Sequence, residues 1–507
     1  EYVGQNENTF NANGSQGLIT RYPNGAFQTL SMTDAYIQTM CPFVKDGELQ
    51  GIVVGGNFTS LGGVQAQGIA LWNPDTQEVT ALSGLSGQVK ALYCDDQSGT
   101  VYVGGSFMGG NSTNAMAWTT GWTNLPFAGF NGPVSSIAKN SAGNIVFGGS
   151  FSGLGNTTTL TQPDIQVINL SSGNISSEGS TSRSEYSDPY QIICSANTSE
   201  GSSDGTWLLR DDTRGFWQGD YAFGFNPTKL RLFNTVQEGR GTKTFYFENM
   251  NSGGILNMQY FDADGNNKSC SSRCPLAHNT TGQDFHFDPA VGMDSFRINI
   301  VEWYGSGGGL GGIELYQDQI FSYAINDFNE PTCKGVQQVS TSQVKPEQTV
   351  WETHFNDGQT SSNYLSAFLI NSEQVGHDTS VTFTPNIRQS GNYSITVYTP
   401  GCLQDGSCPT RGQVNLTGYT TSKDSPFSTT FFQTNYYDKF DQIYYGYVDA
   451  ESDDFRASVT LSPVANQSTP LTVVAQRVRF ELVNSTNGLN GLFEYDPNQA
   501  EVDTDFT

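Results

Sequence analysis

Apolar residues recur at every second position through much of this chain and seldom at helical spacing. The stretches "GIVVGG" (51–56), "TVYVGG" (100–105) and "NIVFGG" (144–149) show it most plainly. Ile52 with Val54, Val101 with Val103, and Ile145 with Phe147 fall on one face of a strand. Each stretch closes on a glycine pair, and Phe58, Phe107 or Phe151 follows two residues later. Glycine weakens a strand unless another backbone or side chain must come close. Gly55 and Gly104 are 49 residues apart, Gly104 and Gly148 are 44 apart, and a period of roughly 40–50 residues predicts four-stranded propeller blades. The phenylalanines are expected to fill the space between them.

The flanks repeat as well. A strand precedes the second and third glycine pairs, "SGQVKALYC" (86–94) and "NGPVSSIAK" (131–139). A hairpin pattern follows each pair: "GIALWNPDTQEVTAL" (68–82), "AMAWTTGWTNL" (115–125) and "IQVINLSSGNISS" (165–177). About three blades fit within residues 1–190, and a ring needs four or more. "GLFEYDP" (491–497) resembles "GIALWNP" (68–74), so residues 469–507 are expected to return to the propeller, with any remaining blades beyond residue 507. "YIQTMC" (36–41) and "VKALYC" (89–94) occupy equivalent strands, which predicts a disulfide between Cys41 and Cys94.

Between these parts the pattern predicts two inserted β-sandwiches of jelly-roll type. The first, residues 191–335, carries short alternating segments such as 228–234, 242–248 and 295–304. The Ser-rich stretch 171–189 before it reads as a linker. The second sandwich, residues 345–468, follows the polar connector 334–349 and includes segments 393–399, 412–419 and 442–449. Cys194 and Cys333 bracket the first sandwich and form a plausible staple. Cys270 with Cys274, and Cys402 with Cys408, would close local loops.

Composition narrows the function. Among 507 residues, Lys+Arg number 23 against 49 Asp+Glu, a net charge of −26. Such a surface repels phosphate backbones, so nucleic acid is excluded as a partner. Thirteen Asn-x-Ser/Thr sequons stand at Asn13, Asn57, Asn111, Asn156, Asn169, Asn174, Asn197, Asn267, Asn279, Asn392, Asn415, Asn466 and Asn484. Together with the even count of 8 cysteines, they predict passage through the secretory pathway. No apolar run approaches the roughly 18 residues of a membrane helix, so the expectation is a secreted protein or an ectodomain.

Candidate chemistry is sparse. "GSGGGLGG" (305–312) contains G-x-G-x-x-G, but a strand pattern follows where a nucleotide site needs a helix. "DADGNN" (262–267) spaces Asp262, Asp264 and Asn266 like a calcium loop, yet it lacks the terminal Glu, and Asp-Gly is a hairpin turn. His278, His286, His354 and His377 have no metal-ligand spacing. No catalytic constellation, cofactor site or metal site is nominated. Two aromatic clusters, Trp303–Tyr304 and the segment holding Tyr444–Tyr445, are candidate surfaces for a sugar or a partner.

Several stretches taken together resemble the fungal Rax cellular-morphogenesis proteins: "MCPF…VVGGNFTSLGG", "RLFNT…EGRGTKTFYF", "CSSRCPL" with "EWYGSGGGLGGIEL", and "LNGLFEYDP". The resemblance implies the ectodomain of a single-pass plasma-membrane glycoprotein. It would be a non-enzymatic landmark for bud-site selection and polarised growth, acting through membrane-protein partners and cell-wall glycan. It carries no catalytic residues over. The alternatives are a lectin-like secreted protein and a hydrolase on a propeller scaffold.

Overall fold

A computed structural model describes residues 16–21, 27–109, 112–151, 153–155, 166–193, 205–329, 339–346, 350–355, 362–371, 375 and 379–482. The protein is all-β, with only short 3-10 turns between strands among the described residues.

The glycine repeats form successive sheets. Ile37–Lys45, Glu48–Gly56, Ile69–Trp72 and Val79–Ala81 make one antiparallel sheet in chain order. Leu85–Asp95, Thr100–Gly109, Ser112–Trp118 and Trp122–Thr123 make the next. Val134–Lys139 and Ile145–Gly149 make a third sheet of two strands. Ahead of them, Gln16–Arg21 and Phe27–Thr33 join Ser60–Leu61 and Val64–Gln65 in a further sheet.

Alternation sends each strand's two faces into two different cores. Val54 packs with Leu18 and Phe58 on the preceding side, whereas Val53 packs with Val89, Val101 and Phe107 on the following side. One sheet further on, Val103 faces back into that second core, and Tyr102 faces forward to Phe130, Val134 and Phe147. The bare glycines are explained by the next sheet in line. A Cβ on Gly55 would lie 2.7 Å from Val89 Cγ1, and one on Gly104 would lie 2.5 Å from Val134 Cγ1. At Gly148 no described residue lies within 4 Å of where a Cβ would stand.

The expected boundary at residue 190 moves toward the N-terminus. Gln166–Val167 pairs with Gly309–Gln317, and Asn174–Glu178 pairs with Gly215–Phe225, so both belong to the unit built from the strands of residues 207–317. The hairpin expected at 165–177 and the linker expected at 171–189 are thereby replaced. Ile168, Leu170 and Ile175 supply apolar side chains that this unit's core buries. The unit has two sheets. One runs Gln166–Val167, Gly309–Gln317, Lys229–Asn234, Gly282–Phe287, Met258–Phe261, Asn267–Cys270; the other runs Asn174–Glu178, Gly215–Phe225, Met293–Tyr304, Gly241–Asn249, Gly254–Ile255. Side chains of both sheets share one core, including Trp217, Phe223, Phe245, Phe247, Phe285 and Phe296.

The far boundaries move as well. Ile320–Tyr323 pairs with Arg477–Leu482, which in turn pairs with Gly391–Thr399. Leu471–Ala475 pairs with Tyr364–Leu369. Residues 471–482 therefore complete the second inserted unit rather than returning to the repeats. All five residues of Leu471–Ala475 are buried, which leaves that strand no solvent face. Thr341–Lys345, placed in a connector by its polarity, pairs as a strand with Ser380–Thr384. Residues 483–507 lie outside the described residues.

Disulfides join Cys41 to Cys94, Cys270 to Cys274 and Cys402 to Cys408. Cys194 and Cys333 lie outside the described residues. "DADGNN" is a hairpin turn in which Asp262 accepts from the N–H groups of Asp264 and Asn266. In "GSGGGLGG", Gly307 leaves room for the buried Arg240 guanidinium, whose Nη2 a Cβ there would approach to 2.3 Å. Arg240 donates to the Leu209 carbonyl, to Asp211 and to Ser306.

Candidate functional site

Trp303 and Tyr304 end the strand Met293–Tyr304, half-buried rather than presented to solvent. The Tyr304 ring stacks on His278 at 4.3 Å, and its hydroxyl donates to the Leu276 carbonyl. Tyr444 and Tyr445, on Lys439–Val448, are also half-buried. Tyr444 stacks on Phe427 at 4.8 Å and donates to the Tyr447 carbonyl. The two clusters sit in different inserted units and are not brought together.

The aromatic segment 435–447 has another role that its composition did not reveal. It is where the second inserted unit docks on the repeats. Asp34, 1% exposed, is the centre of this seam. Its Oδ1 accepts from the N–H groups of Thr59 (2.9 Å) and Ser60 (3.0 Å). Its Oδ2 accepts from the Thr59 hydroxyl and, at 2.8 Å, from the Tyr436 N–H. The Asp34 carbonyl accepts from Thr434 Oγ1, and Thr59 Oγ1 accepts from the Tyr437 N–H. Tyr36 packs edge-on to Phe432, and Ser106 donates to Gln442. Both carboxylate oxygens are thus held by hydrogen-bond donors. Alongside, Asp441 pairs with Lys439 at 3.3 Å. Burial pushes Lys90, on the facing repeat strand, below the usual lysine range, and the charge of Asp441 opposes that shift.

The loop 400–411 braces the docking segment from behind. Cys402 N–H donates to the Asn435 carbonyl, and Gly401 N–H donates to Asp438 Oδ1 at 2.8 Å. Burial raises the Asp438 carboxyl to about 6, against the pull of that N–H, Arg477 and Arg411. Within the loop, Arg411 is buried and donates to Asp405 at 2.9 Å, while the Tyr364 hydroxyl donates to the same carboxylate. Burial acts to raise Asp405, but the Arg411 charge and the Ser407 donors more than offset it, and the net shift is downward.

The sequons divide. Asn174, Asn267, Asn279, Asn392 and Asn466 are exposed; Asn57 and Asn415 are half-buried. Asn169 is 7% exposed, its Nδ2 donates to the Asp327 carbonyl, and its Oδ1 caps a 3-10 turn. Asn13, Asn111, Asn156, Asn197 and Asn484 lie outside the described residues. Among the described residues no cluster of three or more metal-ligating side chains occurs, and no helix is long and apolar enough to cross a membrane.

Fold and seam together define an all-β protein whose N-terminal sheets meet the strands of residues 391–448 through buried polar contacts. Family models described as the Rax2 second domain and the Rax2 third domain match residues 162–310 and 321–483. The chain is 47% identical over 98% of its length to "Polarized growth protein L1" of Phoma sp., covering 38% of that protein. It is 28% identical over 98% of its length to "Bud site selection protein RAX2" of Saccharomyces cerevisiae, covering 45% of it. The chain belongs to the fungal Rax family, and it spans less than half the length of these relatives. A family 32 carbohydrate-binding module of C. perfringens NanJ, solved with galactose, matches 30% of the chain at 9% identity and a TM-score of 0.22. A likeness that slight supports neither a fold assignment nor a ligand.

Proposed function

We propose that this chain is the outward-facing part of a plasma-membrane landmark that marks sites of polarised growth and bud emergence, acting through membrane-protein partners and contact with wall glycan. The observation that carries this reading is similarity along nearly the whole chain to relatives named for polarised growth and bud-site selection. The exposed sequons and the disulfides fit an oxidising, glycosylating route to the cell surface. In this reading the repeat sheets are blades of a β-propeller, interrupted by two β-sandwich units. No catalytic constellation supports the hydrolase alternative. The half-buried state of Trp303, Tyr304 and Tyr444 gives the lectin alternative little surface to stack a sugar on.

The test is made in cells with the full-length protein. A tag placed within the repeats should be reached by antibody on intact, wall-stripped cells and concentrate at new growth sites. Deletion of the gene should scatter those sites. A tag confined to the cytoplasm, or unchanged site choice after deletion, would contradict the proposal.

A further inference from the structure

Two exposed aromatic rings have the same kind of neighbour. Phe261 is 63% exposed and Tyr447 is 49% exposed, while the adjoining Tyr260 and Val448 turn toward the two large cores. Phe261 ends Met258–Phe261 and lies directly opposite Asn267 of Asn267–Cys270. Tyr447 lies directly opposite Asn392, where Lys439–Val448 pairs with Gly391–Thr399. Both asparagines are exposed, and each opens a sequon, Asn267-Lys268-Ser269 and Asn392-Tyr393-Ser394. The other sequons found in strands differ: Asn174 faces Asp220, and Asn415 faces Thr430 and Ser462. A single exposed ring is ordinary. A ring set against a sequon on two different sheets points to a common cause.

Directly opposite residues of an antiparallel pair project from the same face, with Cβ atoms about 4.5–5.5 Å apart. Flat groups rising side by side from such positions meet face to face. Each sequon hydroxyl shares that face, Ser269 opposite Gln259 and Ser394 opposite Tyr445. At Asn267 the amide already leans over the strand that carries Phe261, since its Nδ2 donates to Gln259 Oε1 at 3.2 Å. An N-linked glycan begins at that nitrogen. In the transfer Nδ2 gives up one proton and bonds to C1 of an N-acetylglucosamine. The C1–O bond to a lipid-linked diphosphate breaks, and the diphosphate leaves with the electron pair. The amide keeps its second N–H. One face of the attached sugar is lined by C–H groups, which suit the electron-rich face of an aromatic ring and remove its apolar surface from water.

We infer that Asn267 and Asn392 carry N-linked glycans whose first N-acetylglucosamine lies on the Phe261 and Tyr447 rings, so that each glycan is a packed part of its strand pair. The inference rests on the glycosylating route to the cell surface in the proposed function. It adds which sequons are structural and what each sugar touches.

The full-length protein, purified from a fungal host and trimmed to one N-acetylglucosamine per site, tests it. Glycopeptide mass spectrometry should find Asn267 and Asn392 occupied. Asn267→Gln should speed hydrogen exchange across 258–261 and 267–270 about 3-fold or more, the size expected of one aromatic stacking contact. Phe261→Ala should do the same in the glycosylated chain, add nothing in Asn267→Gln, and be rescued by Phe261→Trp. Asn392→Gln and Tyr447→Ala should behave likewise across 391–394 and 444–448. On the unaltered chain, enzymatic removal of the sugars should give the same acceleration, so a variant that fails to fold does not decide the matter. No acceleration there, or equal effects of Phe261→Ala with and without the sugar, would overturn the packing. Glycans at other sequons with Asn267 and Asn392 bare would overturn the inference and leave the surface reading intact. A chain bare at every sequon would take that reading down as well.

Discussion

Three glycines in equivalent positions are not equivalent in what surrounds them. Gly55 and Gly104 each face a valine of the next sheet at less than 3 Å from where a Cβ would stand, and among the described residues none comes within 4 Å of that point at Gly148. Gly55→Ala and Gly104→Ala should each destabilise by about 1–3 kcal/mol through overpacking, whereas Gly148→Ala should be close to neutral. Urea unfolding of the three variants checks this, and equal effects would contradict the stacked arrangement. The repeat was legible because this constraint recurs at a fixed period. Which copy has no described neighbour was not, since the sequence writes the same pair in all three.

Asp438 yields a pH effect of defined sign. Its carboxyl titrates near 6 in the folded chain against 3.8 as the ordinary value. Below both values the group is protonated in either state, and above both it is ionised in either state. Between them the folded chain holds the extra proton, so stability falls as pH rises from about 4 to about 6. The span corresponds to about 2 kcal/mol once partial exposure is discounted. Asp438→Asn keeps the acceptor for the Gly401 N–H and should flatten this part of the stability–pH curve. Melting temperatures across that range, compared with the parent chain, provide the measurement.

At the scale of strands, legibility followed how many faces were buried. Alternating segments with one wet face, such as Lys229–Asn234 and Gln413–Tyr419, are readable from period two alone. Leu471–Ala475 has no wet face and so carries no alternation to read. Gly215–Phe225 was hidden differently. Trp217, Gly219, Tyr221, Phe223 and Phe225 alternate inward, but glycines at 215, 219 and 224 interrupt the run of side chains. Gly219 is there because the Tyr221 ring lies over it, its Oη 2.4 Å from where a Cβ would stand. The disulfide between Cys41 and Cys94 was legible because equivalent strands of adjacent repeats must lie side by side. It closes a separation of 53 residues, which in the chain-entropy account corresponds to about 4 kcal/mol. Cys41→Ser with Cys94→Ser should lower the unfolding temperature of the repeat sheets and leave the core that holds Trp207 and Trp217 intact, as read by tryptophan fluorescence.

Across the whole molecule, the seams were the least legible feature, because they join residues some 400 positions apart that share no pattern. The aromatic density at 435–447 hid the segment's backbone, whose Tyr436 and Tyr437 N–H groups bond across the seam. The other seam is also polar: the Gly224 carbonyl accepts from the Tyr323 hydroxyl and from Arg477 Nη1, and Gly224 N–H donates to Ser362. Polar seams of this kind fix register, because a buried donor left without its acceptor costs about 1–3 kcal/mol. Asp34→Ala strands the N–H groups of Thr59, Ser60 and Tyr436 at once, so the loss should exceed about 3 kcal/mol and fall on the seam rather than on any core. Calorimetry should then resolve the repeats as a separate, earlier transition, and hydrogen exchange should rise at 434–437 while 391–399 stays protected. A single shifted transition, with uniform loss of protection, would mean that the units are coupled through their apolar contacts and that Asp34 only adds to them.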